Sequence, residues 1–137
     1  MSNAKTCGTL EVGSGLTISY ICQDTSQLKG SLSDHIVKNG LDETLFKAVL
    51  RQMDFDRSQF TKNMEEYSEG QKKKVLIASS LVTSADLYIW DEPLNYIDVF
   101  SRMQLEELIL KFEPSMILVE HDARFTEKVG TRELILQ

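Results

Sequence analysis

The segment Leu87-Tyr88-Ile89-Trp90-Asp91-Glu92-Pro93 decides the fold of this 137-residue chain. Its apolar part, residues 87–90, has no polar alternation, which is typical of a strand buried on both faces in a parallel sheet. Two acids and a proline follow at once, so we expect the chain to leave the sheet there. Residues 116–119 form a similar apolar run, and residues 16–22 alternate, so both predict further strands.

Helical patterns fill the intervals between these strands. Segments with helical apolar spacing or helix-ending signals lie at residues 33–38, 42–53, 68–82 and 98–112, with a shorter one at 122–129 before a last strand at 133–136. In the second segment, the spacing predicts that Leu45, Ala48, Val49 and Met53 face the core. Strands that alternate with helices indicate an α/β domain around a mostly parallel sheet.

Composition narrows the class of protein. A formal net charge of −6 argues against broad nucleic-acid binding, and a hydrophobic content of 42% fits one globular domain. No apolar run reaches the roughly 18 residues of a membrane helix, so we expect no direct membrane insertion. Cys7 and Cys22 have no metal-binding spacing and are expected to be free thiols in the cytoplasm. Residues 1–4 are interpreted as a remnant of a cloning tag.

The stretch Ser68-Glu69-Gly70-Gln71 fits S-x-x-Q, the capping box of a helix start. Gly70 is unusual there, because glycine in a helix costs about 1 kcal/mol relative to alanine. A ligand that approaches the backbone closely would require it, and free amides at a helix start favour an anion. A plain cap and a phosphate site both remain open. We interpret the lysines at 72–74 as a solvated face.

Polar residues follow the predicted strands at the edge where ligands of open α/β sheets bind. Asp91 and Glu92 follow the first strand, where an acid can hold Mg²⁺ and a second can orient an attacking water. Two solvated acids before a turn are the alternative. Gln23 and His121 follow the other two strands and are candidates for the same site, whereas His35 has no such setting and is expected at the surface.

Together and in this order, these motifs resemble the ATP-binding cassette (ABC) family. The correspondences are Gln23 with the Q-loop, Tyr67-Ser68-Glu69-Gly70-Gln71 with the signature motif, residues 87–91 with Walker B, Glu92 with the catalytic glutamate, Leu94-Asn95-Tyr96-Ile97-Asp98 with the D-loop, and His121 with the switch histidine. The sequence departs from the family at Glu69, where glycine is common, at Tyr67, where leucine is usual, and at Ser79-Ser80, which replaces an arginine-containing pair.

The resemblance implies a P-loop NTPase-like α/β fold: a three-layer domain with a mostly parallel central sheet and a small helical subdomain at about residues 30–82. No glycine-rich loop that ends in Gly-Lys-Ser/Thr occurs in the chain. We therefore expect residues 5–137 to be an N-terminally truncated nucleotide-binding domain, without meaningful ATP hydrolysis by itself.

Within the family, the chain most resembles the ABC-F branch and the second cassette of its antibiotic-resistance members. The resemblance implies ATP and Mg²⁺ as ligands, a second cassette as intramolecular partner, a ribosome bound through regions outside this chain, and a cytoplasmic location. The implied roles are catalysis for Glu92 and His121, Mg²⁺ binding for Gln23 and Asp91, and ATP binding for Gln23, Ser68, Glu69, Gly70, Gln71, Asp91, Asn95 and Asp98. Exposed sheet edges also predict self-association of the isolated chain.

Two alternative functions remain open. One is the ATP-binding subunit of a membrane transporter, against which the short interval between Gln23 and Ser68 argues. The other is a non-catalytic interaction domain that retains the motifs, against which the presence of Glu92 and His121 argues.

Overall fold

A computed structural model of the chain describes residues 8–11, 15–21, 24–112 and 116–119. In these residues one sheet has the strand order β1-β2-β3-β4, with the bounds Gly8–Glu11, Thr17–Ile21, Leu87–Asp91 and Met116–Val119. β1 is antiparallel to β2, whereas β2, β3 and β4 are parallel. The three predicted strands and the mostly parallel sheet are confirmed, and β1 is a strand that no pattern predicted. The elements predicted at 122–129 and 133–136 lie outside the described residues.

In the part of the chain that the structure describes, four α-helices connect the parallel strands, and all four were predicted. They are α1 (Leu32–Asn39), α2 (Glu43–Gln52) and α3 (Glu69–Leu81) between β2 and β3, and α4 (Val99–Phe112) between β3 and β4. Two short 3₁₀ helices, Arg57–Thr61 and Met64–Glu66, lie between α2 and α3. Gly40 ends α1 with a φ of 63°, the left-handed conformation that glycine adopts without steric cost.

The buried face of α2 differs from the prediction. Its core residues are Phe46, Val49, Leu50 and Met53. Leu45, which is 40% exposed, and Ala48 were wrongly predicted to be buried. The reason is the phase of the helix: the stripe with the spacing i, i+3, i+4, i+7 that begins at Phe46 carries bulkier side chains and packs inward instead.

In the described residues, one hydrophobic core contains side chains from β2, β3 and all four helices, and α3 packs against one face of the sheet. Ser80 of α3 meets that face, because its hydroxyl lies 2.7 Å from the Ser19 hydroxyl of β2 and accepts the indole N–H of Trp90 in β3 at 2.9 Å. All three side chains are buried, so these hydrogen bonds satisfy polar groups that water does not reach. They set the position of α3, and thereby of its amino end, relative to β3.

His35 is half-buried, which contradicts the expected surface position. Its Nε2 lies 2.8 Å from the hydroxyl of Ser79, and that hydroxyl donates to the carbonyl of Val75. The single hydroxyl proton is therefore used, so His35 donates from Nε2 while its Nδ1 faces the Asn39 amide at 3.3 Å. Burial, and secondarily the positive charge of Lys38, lower the pKa of His35 below its ordinary value of 6.5.

Candidate nucleotide site

The two acids lie where β3 leaves the sheet, as predicted. Asp91 is the last residue of β3 and pairs in register with Val119 of β4, so it lies at the carboxyl edge of the parallel strands. Glu92 follows with a φ of 48°, and both side chains are partly exposed. A positive φ is uncommon outside glycine and marks a backbone that its surroundings hold in place. The edge thus presents two carboxylates on a constrained backbone.

The loop at residues 92–98, which we call the post-strand loop, turns back toward the helices. The backbone N–H of Asn95 donates to the Glu92 carbonyl at 3.4 Å, and that of Ile97 donates to the Leu94 carbonyl at 3.0 Å. Tyr96 also has a positive φ, 68°. Two left-handed residues in one short loop reverse the chain direction, which brings the loop from the sheet edge to the start of α3.

The amino end of α3 carries the predicted capping box. The Ser68 hydroxyl accepts the backbone N–H of Gln71 at 3.1 Å, and the Gln71 side-chain oxygen accepts the backbone N–H of Ser68 at 2.9 Å. Ser68 and Glu69 are exposed. The backbone N–H groups of Glu69 and Gly70 precede the first intrahelical hydrogen bond, from Lys72 N to the Ser68 carbonyl. This helix start is accessible from solvent and has the polarity that suits an anion.

The structure explains why position 70 is a glycine, by a contact that the sequence did not suggest. A Cβ atom at this position would lie 2.6 Å from the Tyr96 carbonyl oxygen, a distance that forces the backbone to shift. The post-strand loop therefore packs directly against the first turn of α3. The close backbone approach that Gly70 permits is made by the chain itself, so this glycine does not by itself indicate a ligand.

Glu69 is held by two groups of the same chain. Its Oε1 accepts a hydrogen bond from the hydroxyl of Thr25 at 2.8 Å, and its Oε2 lies 3.7 Å from the Lys72 ammonium. Thr25 is buried and belongs to the loop between β2 and α1. The first turn of α3 is thereby joined to the loop that follows β2.

Asp98 caps α4 and pairs with α3. It accepts the backbone N–H of Ser101 at 3.0 Å, its Oδ1 lies 2.8 Å from the Ser101 hydroxyl, and Lys74 Nζ lies 3.2 Å from the same oxygen. Burial raises the pKa of Asp98, but the hydrogen bonds from Ser101 and from Lys74 outweigh this and lower the pKa to about 2. Asp98 is therefore ionised, and half of its side chain is exposed.

The interpretation of the lysines as a solvated face was wrong, since even the Lys72 side chain is only 16% exposed. Lys73 and Lys74 are 1% and 8% exposed, because their side of α3 packs against the rest of the chain. Ser101 extends the same contact, since its buried hydroxyl also lies 2.8 Å from the carbonyl oxygen of Met53 at the end of α2. Sequence reasoning missed Thr25, Lys74 and Ser101. Ser101 alone had a signal in the sequence, because the D-x-x-S spacing from Asp98 to Ser101 is a pattern of helix N-caps.

The predicted site residues thus fall into three groups. Asp91 ends β3, and Glu92, Asn95 and Asp98 follow it in the post-strand loop. The structure places that loop against the capping box that contains Ser68, Glu69, Gly70 and Gln71. Gln23 and His121 lie outside the described residues, so their meeting with Asp91 stays a prediction.

A metal ion would find oxygen ligands at the edge of β3. No group of three or more His, Cys, Asp or Glu side chains with metal-binding geometry occurs in the part of the chain that the structure describes. Mg²⁺ typically uses one or two carboxylates, with water and phosphate oxygens completing its shell. Asp91 can supply one such carboxylate, and Glu92 is the next residue along the chain.

In the described ranges, no helix combines the length and the apolar character needed to cross a membrane.

Known proteins resemble this chain in sequence and in fold. A family model described as ABC transporter matches residues 11–95. Ribosome protection protein VmlR of Bacillus subtilis (strain 168) is 27% identical over 135 residues, which cover 94% of this chain and 24% of that protein. ABC transporter F family member 5 of Arabidopsis thaliana is 29% identical over 86 residues, covering 63% of this chain and 12% of that protein.

Among solved structures, the archaeal ribosome recycling factor aABCE1, in complex with the ribosomal stalk protein aP1, matches with a TM-score of 0.70 and 27% identity. The match covers 90% of this chain and 25% of that chain. The present chain spans about a quarter of the length of the curated relatives it matches.

Proposed function

This chain belongs to the ABC transporter family, and to the F branch within it, and we propose that it forms the part of an ATP-binding cassette that runs from Q-loop to switch histidine. In this proposal residues 5–137 belong to a longer protein that supplies a phosphate-binding loop and a second cassette. The helical subdomain corresponds to about residues 30–82.

The observation that carries the proposal is the contact between the post-strand loop and the first turn of α3. The Tyr96 carbonyl lies against Gly70, and Asp98 is paired with Lys74. One end of the loop begins at the carboxylates of β3, and the other reaches an exposed helix start with anion-binding polarity. One compact unit would therefore present acids to one nucleotide and a phosphate-binding turn to another.

The residues divide accordingly into two half-sites. At the nucleotide held by this cassette, Asp91 and Gln23 would hold Mg²⁺, which neutralises charge on the phosphates when bound. Glu92 would orient the attacking water and accept its proton, and His121 would contact the γ-phosphate.

At the nucleotide held by the second cassette, the Ser68 hydroxyl and the Gly70 amide would contact the γ-phosphate, with Gln71 fixing the cap. Asn95 and Asp98 lie on the loop that would face the second cassette. The exposed part of the Asp98 side chain would contact the second cassette. Its contacts with Lys74 and Ser101 hold α3 and α4.

We further propose that the whole protein is a cytoplasmic ATPase that binds the ribosome and contributes to antibiotic resistance. Relatives described as a ribosome protection protein and as a ribosome recycling factor support this over a transporter subunit. ATP binding would close the two cassettes, and hydrolysis would reopen them, a two-state change biased by the γ-phosphate.

The test uses the whole protein with Glu92→Gln, which retains the size of the side chain and removes the proton acceptor. We expect this variant to co-sediment with ribosomes in the presence of ATP and to be released in its absence. Glu107→Gln, an exposed change on α4, is the matched control and should bind as the wild type does. Sedimentation that is absent, or equal with and without ATP, would contradict the proposal.

A further inference from the structure

The first turn of α3 carries an acid where the proposed function needs an attractive surface for an anion. Glu69 is the first residue of α3 and lies between Ser68 and Gly70, the two residues proposed to contact a γ-phosphate. Its side chain is 51% exposed, so the carboxylate lies at the surface of the helix start. A carboxylate free to swing over the helix start would repel a triphosphate.

Two contacts hold the Glu69 carboxylate in position. Thr25 donates a hydrogen bond to Oε1 at 2.8 Å, and Lys72 lies 3.7 Å from Oε2. Lys72 is one helical turn further from the amino end of α3, and Thr25 belongs to a different loop. Both oxygens are therefore engaged by side chains of this chain.

Thr25 can hold this carboxylate because its own loop is fixed. Gly30 accepts the backbone N–H of Met64 at 2.8 Å and donates its own N–H to the Glu65 carboxylate at 2.9 Å. The Leu28 N–H donates to the Thr25 carbonyl at 3.2 Å, and the Leu28 side chain is buried. The loop after β2 is thus fastened along the segment that leads into α3, and the Thr25 hydroxyl is presented at a defined position.

We propose that Thr25 is a positioning residue for nucleotide binding: it holds the Glu69 carboxylate out of the place that a γ-phosphate takes at the start of α3. The inference rests on the proposed function, since it requires a triphosphate at this turn. It also accounts for an acid at a position where the resembling family commonly has glycine.

The experiment measures steady-state ATP hydrolysis by the whole protein. Thr25→Val retains the shape of the side chain and removes the donor, so we expect KM for ATP to rise about three- to tenfold, as for one unit-charge repulsion near a protein surface. We expect kcat to stay within about twofold, because the repulsion acts equally on bound substrate and transition state. Thr25→Ser should retain the wild-type KM, and so should Thr44→Val, a matched change at an exposed position on α2.

Rescue separates positioning from stability. The double variant Thr25→Val/Glu69→Gln should have the same KM as Glu69→Gln alone, because the displaced side chain no longer carries a charge. A merely structural role would lower the active fraction, and hence kcat, and would not be rescued at Glu69.

An unchanged KM in Thr25→Val, or a double variant as weak as Thr25→Val alone, would overturn this inference while leaving the ATPase proposal intact. A wild-type protein without ATP hydrolysis would overturn both.

Discussion

The carbonyl oxygen of Tyr96 occupies the space beside Gly70 where any other residue would place its Cβ, 2.6 Å from that oxygen. This contact fastens the post-strand loop to α3. It also means that the loop cannot move away from β3 without changing its fit to the helix start. The position of the signature-like turn and that of the two acids are therefore mechanically linked within one chain.

Gly70→Ala should destabilise the chain despite the higher helix propensity of alanine. Propensity alone favours alanine by about 1 kcal/mol, but the clash with the Tyr96 backbone costs about 1–3 kcal/mol, as in other overpacked sites. We expect no net gain and a loss of up to about 2 kcal/mol in the free energy of unfolding, measured by urea denaturation. Ala48→Gly, on the exposed side of α2, calibrates the propensity term, and a stabilised Gly70→Ala variant would contradict the contact.

Ser80→Ala should destabilise the core by about 1–3 kcal/mol, because it leaves the buried N–H of Trp90 without its acceptor. Trp90 is the sole tryptophan in the sequence, so its fluorescence reports the unfolding transition directly. Ser33→Ala, an exposed change on α1, should have an effect within about 0.5 kcal/mol. Equal stabilities of the two variants would argue against the hydrogen bond.

The ionisation of Asp98 should make the free energy of unfolding depend on pH in the acid range. Its pKa of about 2 in the folded chain lies below the ordinary 3.8, so its ionised form favours folding above pH 3.8. This contribution should be lost as the pH falls from 3.8 toward 2. Because half of the side chain is exposed, solvent screening reduces the expected contribution to about 1 kcal/mol. Urea unfolding of Asp98→Asn and wild type should differ at pH 5 and converge near pH 2, and a constant difference would contradict the assignment.

His35 should also make the free energy of unfolding decrease as the pH falls, but in a higher pH range than Asp98. Its folded pKa is lowered below 6.5, so between these two pKa values the unfolded chain binds more protons than the folded one. The free energy of unfolding should therefore decrease as the pH falls below 6.5. His35→Phe should remove this slope near pH 6 while Asp98→Asn retains it. A wild-type slope in the variant would place the titration elsewhere.

The isolated chain should bind Mg-ATP weakly and show no meaningful hydrolysis, because it contains no Gly-Lys-Ser/Thr phosphate loop. Isothermal titration calorimetry and a phosphate-release assay measure the two properties. Tight binding by the purified chain would show that it holds a triphosphate without such a loop and would contradict this prediction. Glu92→Gln in the isolated chain should leave the baseline unchanged if the wild-type chain is already inactive.

Local patterns were sufficient for the elements and for the cap. The apolar run before Asp91 and the S-x-x-Q spacing from Ser68 to Gln71 depend on neighbours in sequence, and the structure confirms both the strand and the capping box. The phase of α2 was harder, because Leu45 and Phe46 are both apolar and only packing decides between them. Periodicity alone does not rank two overlapping stripes.

The contacts that organise the candidate site could not be predicted from patterns among neighbouring residues in the sequence. Nothing near Gly70 in the sequence indicates Tyr96, and nothing near Thr25 indicates Glu69, since both pairs join distant parts of the chain. Lys74 was misjudged for the same reason, because a charge run appears solvated until a buried partner such as Asp98 is known. Such pairs depend on how α3 lies against the loops, which only the tertiary structure determines.

The positive φ of Glu92 restricts how its carboxylate can be probed. Asparagine and aspartate tolerate a left-handed backbone comparatively well, whereas a β-branched residue there is strained. A valine or threonine substitution would mix a chemical loss with a backbone rearrangement, and its phenotype would be uninterpretable. Saturation libraries at this codon should be scored only across the polar, unbranched replacements.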